Sequence, residues 1–242
     1  MNWKKDMSKK DDAVSPVIAL MLILAILATC MAVYTTTYVP GLKQQDEITH
    51  SGEVKLAFER FASDIDNVIA LGKPAVYTEV LELGGGDVPL SPTKSSGTVE
   101  INTTVIGNYT IGSETKNLYG IEISYLPSFT AWEKQGYLYK KGVVWITKDE
   151  KKTPAMLTLY TVEDGEDREK EILAKWYPAS TEIIPNFSVV EGKSEITGTS
   201  AVKLRLNATL GDDLPSVIVT LNDGTSRIYT NARLLNIEVS VE

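Results

Sequence analysis

The chain has 242 residues and a net charge of −8, with 32 acidic against 24 basic side chains. This acidic balance argues against a nucleic-acid-binding function, which needs a basic surface. The single cysteine, Cys30, excludes a disulfide bond within the chain and a metal site built from several cysteines. The length is sufficient for one domain with its own hydrophobic core beside a separate N-terminal segment.

The N-terminal region contains a long apolar segment behind a basic flank. Residues 13–39 carry no charged side chain, and Lys4, Lys5, Lys9 and Lys10 precede them. As a helix that rises about 1.5 Å per residue, the segment is roughly 40 Å long and can cross the roughly 30 Å hydrocarbon core of a bilayer. Because lysines favour the cytoplasmic side, we expect the N-terminus inside the cell and the remainder of the chain outside.

The composition of this segment predicts a helix that begins near Pro16. Proline is tolerated in the first helical turn, and Ser15 is a typical capping residue. Apolar side chains on every face predict burial on every side, in lipid or among other helices. Alanines such as Ala25 permit close approach of a second helix, although alanine is also common in membrane helices in general. The residues expected to form this membrane-spanning or filament-core surface are Val17, Ile18, Leu20, Leu24, Ile26 and Leu27.

Two simple explanations of the segment compete with a more specific one. A cleaved secretory signal peptide has an apolar core of about 7–15 residues and an A-x-A cleavage site, and this segment is longer and lacks that site before a charged start. A permanent single-span anchor without a further role is a second explanation, because any apolar run of this length inserts for the same reasons.

The charged flank ends abruptly, where Lys9-Lys10-Asp11-Asp12 is followed at once by Ala13-Val14-Ser15-Pro16-Val17-Ile18. This boundary resembles the N-terminus of archaeal type IV pilins and their relatives. In that family a prepilin peptidase removes a short basic leader at the cytoplasmic face, and the apolar helix later packs into the core of a filament. The resemblance implies that residues 1–12 are a leader and that the cut falls between Asp12 and Ala13.

Beyond the apolar segment, residues 40–72 predict a linker and a second, amphipathic helix. Pro40-Gly41 predicts a break or a bend after Val39. A helix from about residue 46 to residue 71 follows, and Gly72-Lys73-Pro74 is typical of its end. Steps of four and three residues give this helix one apolar stripe, which predicts packing on the domain that follows it. The stripe consists of Val54, Phe58, Phe61, Ile65 and Val68.

Residues 73–242 predict an extracellular β-rich domain. Short β-branched and aromatic runs alternate there with turn residues, and Asn222-Asp223-Gly224 is a strong hairpin signal. The whole chain is therefore predicted to be α+β, with an N-terminal hydrophobic helix, a second amphipathic helix and an antiparallel β-sandwich-like or barrel-like domain. The runs cover residues 74–83, 97–106, 118–126, 136–146, 155–162, 201–210, 216–221, 226–230 and 234–242.

No motif in the sequence predicts catalysis, since G-x-S-x-G, a phosphate-binding loop and H-E-x-x-H do not occur. The single histidine, His50, falls in the predicted linker and is more typical of a surface or hydrogen-bonded residue than of a metal ligand. The acidic residues at 163–167 do not have the spacing of a calcium loop, and residues 84–87 predict a flexible turn. We expect no metal, no cofactor and no enzymatic activity.

Four N-x-[ST] sequons lie on the side of the predicted membrane helix that export would expose to a glycosylation machinery. A sequon alone is a weak signal, because several arise by chance in a chain of this length. We expect glycosylation of at least one or two of them. Their asparagines are Asn102, Asn108, Asn186 and Asn207.

The resemblance implies a structural subunit of an archaeal type IV pilus-like surface filament that acts in adhesion or cell-surface contact. Its partners would be further copies of the chain in a helical homopolymer, the prepilin peptidase, the pilus assembly machinery and, before assembly, the membrane, with no nucleic acid. The alternative is a monomeric single-span membrane-anchored extracellular binding module, an accessory of a surface layer or of a secretion system.

Overall fold

The computed structural model describes residues 15–85, 88–89, 91, 93–149, 151–155, 173–178 and 182–242. A long N-terminal helix is followed by a large, mainly antiparallel sheet, so the α+β class is confirmed. The expected leader, with its cleavage site at Asp12 and Ala13, lies outside the described residues. Most of the expected strand at 155–162 and the acidic residues at 163–167 also lie outside them.

The helical part is one continuous rod, which runs from Ser15 to Leu71. It consists of α1 (Ser15–Val33), a π-helical segment (Tyr34–Tyr38) and α2 (Val39–Leu71). The predicted break and the separate second helix are therefore wrong.

The π-helical segment explains why Pro40 does not end the helix. A proline ring clashes with the carbonyl group four residues earlier in an α-helix. Here the turn before Pro40 is wider, because the N–H of Val39 donates to the carbonyl oxygen of Tyr34, five residues back. Pro40 is the second residue of α2 and follows this wider turn directly.

Gly72 ends the rod as predicted. Its backbone is left-handed, with φ of 56°, and its N–H donates to the carbonyl oxygen of Val68 at 3.0 Å. Glycine adopts this conformation without steric cost, whereas other residues do not. The helix therefore stops here and the chain turns back into the first strand.

We expect Gly72→Ala to lower the free energy of unfolding by about 1–2 kcal/mol, because of the left-handed backbone. The new methyl group would also lie 2.7 Å from Cγ1 of Ile183. Gly52→Ala is the matched control, since Gly52 lies inside α2 and an added methyl group there would have no neighbour within 4 Å. Gly52→Ala should raise the free energy of unfolding by up to about 1 kcal/mol. Denaturant unfolding of the full chain in detergent measures the change in the free energy of unfolding for both variants. A change of the same sign in the two variants would contradict this account.

Within the described residues, ten strands form one hydrogen-bonded sheet, in place of the two facing sheets of the predicted sandwich. The sheet order is β6-β5-β4-β3-β2-β9-β10-β7, with β1 added on β9 and β8 added on β2, and among these described strands only the β7–β10 pair is parallel. The strands are β1 (Ala75–Glu82), β2 (Ser96–Ile111), β3 (Glu114–Ser128), β4 (Gln135–Lys140), β5 (Val143–Lys148), β6 (Lys151–Pro154), β7 (Ile183–Val189), β8 (Glu195–Gly198), β9 (Ala201–Leu221) and β10 (Ser226–Val241).

The sheet forks, and α2 lies in the fork. Strands β2 and β9 pair directly only between residues 107–110 and 218–221. Elsewhere β8 pairs with β2 and β1 pairs with β9, so the two strands diverge into two arms. Helix α2 contacts β1 and β9 of one arm and β4 and β5 of the other. The helix is therefore an integral part of the folded domain.

The hairpin prediction is confirmed, since residues 222–225 connect β9 to β10. The two predicted runs before the hairpin form the single strand β9, and the two after it form the single strand β10. Both strands are therefore longer than expected. Strands β6 and β8 were not predicted, and neither was β7. Its sequence contains Pro185, which weakens a strand pattern, and β7 lies at the end of the sheet order, where a missing N–H is tolerated.

The predicted apolar stripe of α2 packs against the sheet domain, as expected. Phe58 lies 6.1 Å from the ring of Tyr137, and Phe61 meets Tyr139 edge-on at 6.5 Å between ring centroids. Such aromatic pairs stabilise a core beyond the area they bury. The stripe residues are all buried: Val54, Phe58, Phe61, Ile65 and Val68.

Candidate functional site

The first candidate functional surface is the whole circumference of α1. Every residue from Pro16 to Val33 is exposed, and the chain's own sheet domain covers none of them. By length and composition the helix is able to cross a membrane. The predicted surface residues are each more than half exposed: Val17, Ile18, Leu20, Leu24, Ile26 and Leu27.

Threonine side chains near the end of α1 do not interrupt this apolar surface. The hydroxyl of Thr29 donates to the carbonyl oxygen of Ala25 at 2.9 Å, and the hydroxyl of Thr36 donates to that of Ala32 at 2.7 Å. A hydroxyl bonded to its own helix needs no partner from the surroundings. This part of the helix therefore tolerates lipid or a neighbouring helix.

The second candidate is a buried polar row at the start of α2, which we call the polar seam. It consists of Lys43, Glu47, His50 and Ser51, each at most 5% exposed. These positions continue the apolar stripe of α2 toward α1 at the same helical spacing. The seam joins the helix to the loops that precede β2 and β4, and to strands β3 and β4.

Glu47 is the most completely buried member of the seam, with 0% exposure. Its carboxylate accepts hydrogen bonds from the hydroxyl of Ser95 at 2.5 Å and from the backbone N–H groups of Thr130 and Ala131, both at 2.9 Å. Burial raises the pKa of the Glu47 carboxyl, but these donors lower it more, so the pKa lies below its ordinary value. The group is a buried carboxylate held by a ring of donors.

Lys43 and Ser51 extend the same connection on both sides of Glu47. The ammonium group of Lys43 donates to the carbonyl oxygen of Thr93 at 2.5 Å and to its hydroxyl oxygen at 2.6 Å. The hydroxyl of Ser51 lies 2.9 Å from that of Tyr137, which also accepts a hydrogen bond from Gln135 at 2.8 Å. These contacts satisfy polar groups that would otherwise be costly to bury.

His50 lies inside α2, within the span predicted to be helical and not in the predicted linker, and it is buried. Its Nε2 lies 3.0 Å from the hydroxyl oxygen of Tyr125, which donates to the carbonyl oxygen of Leu83 at 3.2 Å. The expectation of a hydrogen-bonded histidine fits this position. Among the residues that the structure describes, no group of three or more His, Cys, Asp or Glu side chains is arranged to hold a metal ion.

The glycines predicted to form a flexible turn are instead packed against this site, as far as they are described. A methyl group on Gly85 would lie 2.9 Å from Cβ of His50, and one on Gly84 would lie 2.4 Å from the carbonyl oxygen of Ser95. The close approach of this segment to the helix therefore requires glycine. Residues 86 and 87 of the predicted turn lie outside the described part of the chain.

The four sequon asparagines all lie within strands. Asn102 on β2 is exposed, whereas Asn108, Asn186 and Asn207 are half-buried. The side-chain oxygen of Asn186 also accepts a hydrogen bond from the N–H of Tyr119 at 3.0 Å. A glycosyltransferase needs an accessible amide, so exposure favours Asn102 over the other three.

No family model matches the chain, and comparison with curated proteins and with solved structures gives no significant match.

Proposed function

We propose that the chain is a structural subunit of an archaeal type IV pilus-like surface filament, assembled through its N-terminal helix. The observation that carries the proposal is the complete exposure of α1 from Pro16 to Val33, in a helix that continues without a break into the folded domain. Apolar side chains exposed on every face require lipid or other helices around them. A pilus subunit meets both environments, since lipid surrounds its helix before assembly and other helices surround it afterwards.

The polar seam adds a second argument. A plain membrane anchor requires no fixed angle between the anchoring helix and the exterior domain. In a helical polymer, by contrast, each subunit must present the same surfaces in the same orientation. The seam and the apolar stripe together fix α2 to the sheet domain over residues 39–68. This rigid connection favours the filament over the monomeric anchored module.

In this proposal the prepilin peptidase removes residues 1–12 and the assembly machinery transfers α1 from lipid into a core of identical helices. Before assembly the subunit spans the membrane once, with its N-terminus in the cytoplasm. Afterwards the sheet domain forms the outer surface of the filament, where adhesion and cell contact take place. Glycans on the exposed sequon at Asn102 would then lie on the outside.

We expect Ala25→Leu to leave membrane insertion intact and to abolish filaments or reduce them severely. The substitution keeps the helix fully apolar, so insertion is unaffected. In a filament core, however, the isobutyl group of leucine in place of the alanine methyl group at a close helix contact forces the helices apart. Negative-stain electron microscopy and membrane fractionation of the same cells give both results. Leu24→Met, which conserves volume, is the control and should assemble normally.

Two results would overturn the proposal. One is the absence of filaments containing this chain in cells that carry the unchanged sequence. The other is normal filament assembly by Ala25→Leu and by equivalent enlargements along the rest of α1. In either case the alternative function, a monomeric membrane-anchored binding module, replaces the filament subunit as the proposal.

A further inference from the structure

The position of the proton on His50 follows from its hydrogen bonds. The hydroxyl of Tyr125 has one proton, and it donates that proton to the carbonyl oxygen of Leu83. In the bond between His50 and Tyr125, Nε2 of the imidazole must therefore be the donor. Nδ1 carries no proton in this neutral state. It is the atom at which the imidazole gains a proton when the pH falls.

The imidazole lies at the boundary between an aromatic pocket and an acidic cleft. The rings of Tyr125 and Phe129 meet it edge-on, at 6.2 and 5.8 Å between centroids. On its other side a cleft of about 530 Å³ separates α2 from the segment after β1. Charged groups of both elements line this cleft with His50: Asp46 and Glu53 from α2, Glu82 at the end of β1, and Lys94.

The carboxylates around His50 only partly offset the effect of burial on the pKa of its imidazole. Burial lowers the pKa of the imidazole, and nearby carboxylates raise it by a smaller amount, so the pKa lies below its ordinary value. Three of these carboxylates, Glu53, Asp46 and Glu82, are exposed in the cleft. The fourth carboxylate, that of Glu47, accepts hydrogen bonds from the N–H groups of Thr130 and Ala131. A protonated imidazole is therefore better accommodated in the cleft than between the aromatic rings.

We propose that His50 is a proton-operated latch between α2 and the segment that follows β1. Protonation at Nδ1 leaves the Nε2 proton in place, but the charge draws the imidazole out of the aromatic pocket toward the carboxylates of the cleft, and the hydrogen bond to Tyr125 that links it to Leu83 is then lost. Because the backbone of Gly85 lies directly against His50, residues 83–85 must move with it. The seam then loosens over residues 43–51, while the apolar stripe at residues 54–68 stays packed.

The direction of the pH dependence follows from linkage. A histidine whose pKa is lower in the closed state than in the open state binds fewer protons when closed. The closed state is therefore fully stable above the ordinary histidine pKa, near 6.5, and loses stability as the pH falls toward the lowered value. Opening that takes up one proton increases by up to about tenfold per pH unit in this window.

NMR spectroscopy of the full chain in detergent micelles tests the latch directly, because His50 is the only histidine and gives one imidazole signal. We expect its titration midpoint below about 6.5. Amide hydrogen exchange, corrected for its intrinsic pH dependence, should accelerate at residues 43–51 and 83–85 between pH 7 and pH 5.5. Exchange at residues 61–68 should not change.

His50→Gln is the matched control, because its side-chain amide still donates to Tyr125 but does not titrate. We expect its amide exchange at residues 43–51 to be independent of pH over the same range. An equal pH response in His50→Gln would overturn the latch and assign the response to the carboxylates. A midpoint at or above 6.5 in the unchanged chain, with no change in exchange, would also overturn it.

Discussion

Replacing Glu47 by alanine is expected to destabilise the sheet domain and its helix by at least about 3 kcal/mol. The substitution leaves the buried hydroxyl of Ser95 without its acceptor and takes the carboxylate from the N–H groups of Thr130 and Ala131, which are only partly buried. A buried donor left unpaired costs about 1–3 kcal/mol, and each hydrogen bond to a charged group contributes about 1.5–3 kcal/mol. Denaturant unfolding of the full chain in detergent, followed by tryptophan fluorescence, measures the loss.

Glu53→Ala is the matched control for this experiment, because Glu53 lies on the same helix and is exposed. Its effect on the free energy of unfolding should stay within about 0.5 kcal/mol. Glu47→Gln should fall between the two, since it keeps an acceptor for the loop but loses the charge. If Glu47→Ala and Glu53→Ala unfold at the same denaturant concentration, the polar seam does not hold the helix.

Phe61→Ala is the second substitution with a large expected effect, a loss of about 3–5 kcal/mol. Phe61 is 1% exposed and packs edge-on against Tyr139, so its removal leaves a cavity between α2 and β4. Neighbouring side chains relax only partly into such a cavity, and both transfer energy and packing are lost. Thermal unfolding followed by circular dichroism gives the change in stability.

Leu56→Ala is the control for the core substitution, since Leu56 lies on the same helix and is 50% exposed. Its side chain keeps much of its contact with solvent in the folded state, so its removal should cost far less than that of Phe61. Comparable losses for the two variants would mean that the apolar stripe of α2 is not the main contact between the helix and the sheet.

Features encoded by local periodicity were predictable from the sequence. The stripe from Val54 to Val68 follows the 3.6-residue helical period, and the hairpin at residues 222–225 needs only its own turn residues. Continuity of the rod was not predicted, because Pro40 normally ends or kinks a helix and the compensating π-helical turn has no comparable sequence signal.

Features that depend on distant segments were not predicted. The burial of Glu47 requires donors from Ser95, Thr130 and Ala131, which no local pattern connects to α2. The spacing of Lys43, Glu47 and His50 in line with Val54 is the one signal that would have indicated the seam. The forked sheet is also non-local, because β9 pairs with β1, β2 and β10 along different parts of its length. The cleavage site at Asp12 and Ala13 stays a prediction.

The π-helical segment also sets the rotation of the sheet domain about the axis of α1. A turn closed by a bond to the fifth preceding residue holds about one residue more than an α-helical turn. Since each residue of an α-helix turns the chain by about 100°, one residue more or fewer at Tyr34–Tyr38 rotates α1 by that angle relative to α2. A single deletion in this segment would therefore present a different face of α1 to its surroundings, with every side chain of the sheet domain unchanged.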